Sequence, residues 1–183
     1  LRVVRGAGWR VGRDGSLLAA SRVFKGGGDG LNDLEVRFVF IGEEGQASHD
    51  FGTFPNGQTY SHPAGVSVST WFAPKAQYAL RPCPSPVRVA ISSPERWEIR
   101  FFSPGGQLLR ILRAPIQRVP MSADIRAERR SNLEDVASVF GIPLGAVNRM
   151  ERQMPVPDSL PAIGRLIWDN VGRLWVGRRG ANY

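Results

Sequence analysis

At 183 residues the chain can bury one sizeable core, and 42% hydrophobic against 22% charged residues is the composition of an ordinary globular protein. No run approaches the roughly 20 apolar residues of a membrane-spanning helix, and the single cysteine, Cys83, excludes an internal disulfide and a multi-cysteine metal site. The net charge of +8 rests on 22 arginines against two lysines spread along the chain, so no basic run marks a nucleic-acid tail.

The chain opens on Leu1 to Arg5, already strand-like, and stops at Tyr183 just after a strand. Both ends read as cut. A signal peptide or lipid anchor upstream stays open, as does the compartment, with a periplasmic or extracellular envelope location favoured. Trp9 to Ala20 (WRVGRDGSLLAA) predicts strand, Asp-Gly turn, strand. Gly26 to Asp33 (GGGDGLND) follows. It lacks the Gly-Lys-Ser/Thr ending of a phosphate loop, but nearly matches a calcium-binding nonapeptide, which makes Asp29, Asn32 and Asp33 the metal candidates and calcium the candidate cofactor. Calcium takes six to eight oxygens, more than these three side chains supply, so a flexible turn between Phe24 and Leu34 is the preferred reading.

Leu34, Val36, Phe38 and Phe40 alternate with Glu35, Arg37 and Val39, the period of a half-buried strand. Ser48, His49 and Asp50 are neighbours, but strand neighbours point to opposite faces and do not converge as a triad. His49 and His62 are two metal ligands at most. Pro55 to Ser67, rich in Gly, Ser, Pro and His, reads as a loop. Cys83, between two prolines, reads as a packed, inert thiol. Trp97, Ile99 and Phe101 alternate with Glu98 and Arg100 as another strand.

From Pro120 to Pro161 the period changes. Ser122 is a candidate N-cap, and Ile125, Arg129, Leu133, Val136, Ala137 and Phe140 fall at helical spacing. Gly141 ends that run, Pro143 suits the first turn of a second helix, and Leu144, Val147, Met150 and Met154 continue an apolar face. Arg126, Arg129, Arg130, Arg149 and Arg152, beside Glu128, Glu134, Asp135 and Glu151, read as a solvated face. Of these, Arg126, Arg130, Arg149 and Arg152 are the candidate partner-binding residues. The five tryptophans, Trp9, Trp71, Trp97, Trp168 and Trp175, sit in strand patterns and are expected to pack between layers.

Two internal repeats organise the strands. Aligning Gly15 on Gly172 sets Leu17, Leu18 and Ala19 against Leu174, Trp175 and Val176. A degenerate middle copy, lacking its turn glycine near Val87, sets Arg88-Val89-Ala90-Ile91 against Arg173-Leu174-Trp175-Val176. The second repeat pairs Phe38 to Gln46 (FVFIGEEGQ) with Ile99 to Gln107 (IRFFSPGGQ). Asp14 and Asp169, ahead of the turn glycines, are read as turn-stabilising.

On these residues the chain resembles a six-bladed propeller of the NHL or TolB-like type. Asp169 to Val176 (DNVGRLWV) is similar to that family's step from first to second strand, and Trp97 to Arg110 to its third and fourth strands. The resemblance implies a mainly β fold, an incomplete β-propeller of about two and a half four-stranded antiparallel blades with a helical insertion. Residues 1–69 would be the first blade and a loop, 70–119 the second blade, 120–161 the helical insertion and 162–183 the start of a third blade. The function it implies is a non-enzymatic scaffold that binds a protein or small ligand at one face, with enzymatic activity left open. The alternatives are a metal-dependent, lactonase-like hydrolase and an Arg-rich propeller that binds nucleic acid. An incomplete ring exposes faces and strand edges, so the isolated chain is expected to self-associate.

Overall fold

The computed structural model describes residues 8–25, 28–63, 67–70, 72–82, 85–86 and 88–177. The expectations for Leu1 to Arg5, Gly26, Trp71, Cys83, Val87 and Tyr183 lie outside them. The fold is mainly β and antiparallel. Strands β1 (Gly8–Val11), β2 (Leu17–Lys25), β3 (Gly30–Ile41), β4 (Ala47–Ser61) and β5 (Ser67–Ser69) pair in chain order as a first sheet. A second sheet runs β6 (Tyr78–Leu80), β7 (Val89–Ser92), β8 (Glu98–Phe102) and β9 (Leu108–Arg113), also in chain order. Two helices, α1 (Ala123–Val139) and α2 (Leu144–Gln153), precede a two-stranded sheet of β10 (Arg165–Trp168) and β11 (Leu174–Gly177).

Four hairpin turns share one construction. In each, the first turn residue donates its N–H to the carbonyl four residues on and accepts from the N–H three residues on: Gly12 with Ser16 and Gly15, Gly42 with Gln46 and Gly45, Ser103 with Gln107 and Gly106, Asp169 with Arg173 and Gly172. The fourth position must turn left-handed, and it is glycine each time, with φ between 81° and 83°. The second repeat also shares a bulge. Phe40 faces His49 while Ile41 faces Ala47, and Phe101 faces Arg110 while Phe102 faces Leu108, so each second strand carries one extra residue beside its turn.

The three sheets stack face to face. Strand alternation sends neighbouring residues to opposite sides. Tyr78, Leu80, Val89 and Ile91 of the second sheet therefore pack with Leu18, Ala20, Val36, Phe38 and Phe40 of the first. Ala79, Ala90, Ile99 and Phe101 turn the other way and pack with Leu166, Trp168, Leu174 and Val176 of the third. Burial of each large apolar side chain in these layers contributes about 1.5–3 kcal/mol. Aromatic rings fill the first layer, with Phe38 at 4.7 Å from Tyr78 and 5.4 Å from Phe54 between centroids.

The helical segment is a closed excursion. Its base is pinned where Met121 N–H donates to Asp158 and Leu160 N–H to Val119. The Ser122 side chain accepts from Ile125 N–H at the start of α1, and Phe140 caps its end. There Gly141, at φ 64°, lets its N–H reach Ser138 O while Ile142 N–H reaches Ala137 O. Leu133, Ala137, Val147, Met150 and Met154 bury against Tyr60 and Val68, the far end of the first sheet.

Five sequence expectations change. Pro55 to Ser61 belongs to β4, not to a loop; Pro55 sits at a register shift beside β3, and Gly57 takes φ 83°, so a bulged strand replaces regular alternation. Leu31, Asn32 and Asp33 are strand residues of β3, not part of a turn. Phe140 and Leu144 are exposed, because they flank the corner where the chain leaves helical geometry. Pro143 is the N-cap of α2 and precedes its first turn. Trp9 and Trp175 are exposed on the outermost sheet faces, whereas Trp97 and Trp168 pack between the second and third sheets.

Candidate binding groove

The two ends of the stacked strands differ. At one end the hairpin turns lie together, held by polar contacts. Arg13 N–H donates to Pro82 O at 2.8 Å, and the buried Arg88 guanidinium reaches Asp14 Oδ2 at 2.8 Å and the Ser16 hydroxyl. Burial pushes the Asp14 carboxyl up, but the Ser16 hydroxyl and N–H and the Arg88 charge outweigh it and hold Asp14 below the usual carboxylate range. His49 lies over Gly106, and Arg81 lies over Gly172, its guanidinium 5.4 Å from the Trp168 ring. Asp169 accepts from the backbone N–H of Arg173 and Val171 and from the Trp175 indole, bonds that keep its carboxyl ionised below the usual range.

At the opposite end the connections are longer. Here the turn from β7 to β8, the connection from β4 to β6 and the segment after α2 border three adjoining cavities that share Pro94 and Glu95. The first, of 410 Å³, is walled by Pro55, Pro74, Pro94, Pro155 and Pro157. Proline rings give it a stiff apolar surface without backbone donors. The second, of 240 Å³, continues toward Phe72 and Leu160. The third, of 420 Å³, opens between the first and second sheets, from Phe51 and Phe54 to Ser93, Arg96 and Arg100. Together they form one groove, largely apolar in its first two cavities, with Glu95 at their junction and a polar third cavity that carries Arg96 and Arg100.

Glu98 gathers these arginines. It starts β8 on the face toward the first sheet and is 0% exposed. Its carboxylate accepts from Arg113 Nε at 2.7 Å and Arg100 Nε at 2.9 Å, and Arg96 Nε lies at 3.5 Å. The Arg113 bond is foremost in keeping Glu98 below the usual carboxylate range; burial opposes it, and Arg100 and Arg96 add to it. One negative charge thus orients three exposed guanidiniums, which leaves the cluster positive and its outer N–H groups turned to solvent.

Most residues singled out from sequence fall elsewhere. Asp33 lies on the rim of the groove and accepts from Gln58. Its neighbour Asn32 spends its amide N–H on Gly28 O and Gly30 O, and Asp29 is exposed. Among the described residues no group of three or more His, Cys, Asp or Glu could hold a metal ion. His49 and His62 stand at opposite ends of β4, about 40 Å of extended chain apart. Asp50 is bound to Arg37 and to Gly52 N–H, which with the nearby His49 charge offset the effect of burial and keep it below the usual range. Arg126, Arg130, Arg149 and Arg152 are exposed on the helices; Arg130 is committed to Glu134, Glu151 and Asn148 and ties α1 to α2. Arg129, read as part of the solvated face, is buried, and burial lowers its pKa.

The groove leaves little trace in the sequence: Glu98 and Arg100 alternate with Ile99 and Phe101, the pattern of an ordinary solvent face. In comparison with known proteins, no family model matches the chain, and neither a curated protein nor a solved structure matches it.

Proposed function

We propose that the chain is a run of β-propeller blades acting as a non-enzymatic scaffold, and that its groove takes an extended protein segment combining apolar and acidic residues. The blade reading draws support from the successive antiparallel meanders, their common turns and their face-to-face stacking, with β6 lying beside both β1 and β10. The observation that carries the functional reading is the pairing of a proline-walled channel with the Arg96, Arg100 and Arg113 cluster on buried Glu98. Rigid apolar walls lose little entropy when a ligand docks, and pre-oriented guanidiniums recognise carboxylates with charge-assisted bonds. The chain's net charge of +8 favours encounter with such an acidic partner.

The test is selection of short unstructured peptides on the immobilised chain, followed by affinity measurement on Arg100→Glu. The expected binders are rich in Asp or Glu beside apolar residues, and Arg100→Glu weakens them at least about tenfold, the 1.4 kcal/mol scale of one charge-assisted contact. Binders without acidic residues, or binders indifferent to this change, would contradict the reading.

A further inference from the structure

The two outermost sheet faces are not ordinary solvent faces. Strand pairing superimposes the leading hairpins of the three sheets residue by residue. The pair Trp9 and Ala19 matches Tyr78 and Ile91, then Leu166 and Val176; the pair Val11 and Leu17 matches Leu80 and Val89, then Trp168 and Leu174. In the second and third sheets all of these positions pack on the preceding sheet. In the first sheet no described element packs on the same face, and Trp9 and Val11 stand 57% and 66% exposed.

The other face behaves in mirror fashion. Leu18 of the first sheet and Ala79 and Ala90 of the second are buried by the sheet that follows. Their counterparts in the third sheet, Ile167 and Trp175, pair across β10 and β11 and are 43% and 60% exposed. The chain therefore makes the same stacking step twice and carries the two halves of a third step at its two sides. A surface of large apolar residues in positions that are buried elsewhere in the same molecule calls for cover.

We infer that these faces form a head-to-tail interface between copies of this chain, the Ile167 and Trp175 face of one copy seating on the Trp9 and Val11 face of the next. The inference rests on the stacking of the sheets and not on what the groove binds. The interface is heterologous, so assembly continues until a ring closes or a filament grows.

The test uses light scattering on the eluting protein over a range of concentrations, with two face variants, Trp9→Glu/Val11→Glu and Ile167→Glu/Trp175→Glu. The parent chain is expected to gain mass with concentration beyond a dimer. Each variant alone is expected to be a 20.1 kDa monomer with unchanged circular dichroism. Mixed in equal amounts they are expected to give a one-to-one pair and nothing larger, because each retains the face the other lacks. The single variants Val11→Arg and Ile167→Arg, milder at the same faces, repeat the test if a double variant fails to fold. A parent chain that stays monomeric, variants that still assemble, or a mixture that stays monomeric would each overturn the inference.

Discussion

Glu98 shows how far one side chain's role depends on its surroundings. Its charge is sealed from solvent, while the guanidiniums it holds stay wet. In the folded chain it takes up a proton less readily than in the unfolded one, so its charge stabilises the fold above the unfolded value of about 4.5, and that contribution is lost as pH falls through the lower folded value. Glu98→Gln is therefore expected to lower stability by about 1–3 kcal/mol at neutral pH, the scale of buried hydrogen bonds to charged groups. The gap to the parent chain should close as denaturant titrations move below about pH 4. A gap that is the same at neutral and acid pH would show that the charge is not what matters. None of this was legible from sequence, where Glu98 occupies the polar position of an alternating strand. Its partners, Arg96, Arg100 and Arg113 across the ladder on β9, are brought together only by the fold and leave no local mark of burial.

At the scale of elements, local chemistry speaks plainly. The turn glycines, the Ser122 cap and the Gly141 stop could be read because each meets a need that is set within a few residues. Strand β4 could not. Its bulges, Gly52, Gly57 and Pro55 break the period-two pattern, and composition alone suggested a loop. The four like turns make a graded prediction. Gly45→Ala meets open space and should cost only the left-handed conformation, about 1–2 kcal/mol. Gly106→Ala carries the same conformational cost and also drives a methyl group into the His49 ring, so it should be the more destabilising of the two. Thermal melts of both variants check the order, and equal losses would mean that His49 moves aside freely.

For the whole molecule, the alternation of apolar residues announced strands but not their neighbours. A strand buried on both faces and one buried on a single face differ only in what the other sheets do. The short strand β7, Val89-Ala90-Ile91, is apolar and buried on both faces, yet Leu166-Ile167-Trp168 and Leu174-Trp175-Val176 are as apolar with one face exposed, so such a run does not mark the middle sheet. Tight hairpins at one end of the stack need only glycine and a few polar contacts, whereas the longer connections at the other end, one of which carries the helical excursion, pack around one another. The most direct measurement of this arrangement is a nuclear Overhauser spectrum of the methyl-labelled chain. Ile91 methyl groups are expected to see Leu18 and Phe38 of the first sheet, and the Ala90 methyl group Ile163 and Leu166 beside the third. Ala90 and Ile91 reporting the same set of neighbours, or either facing solvent, would contradict it.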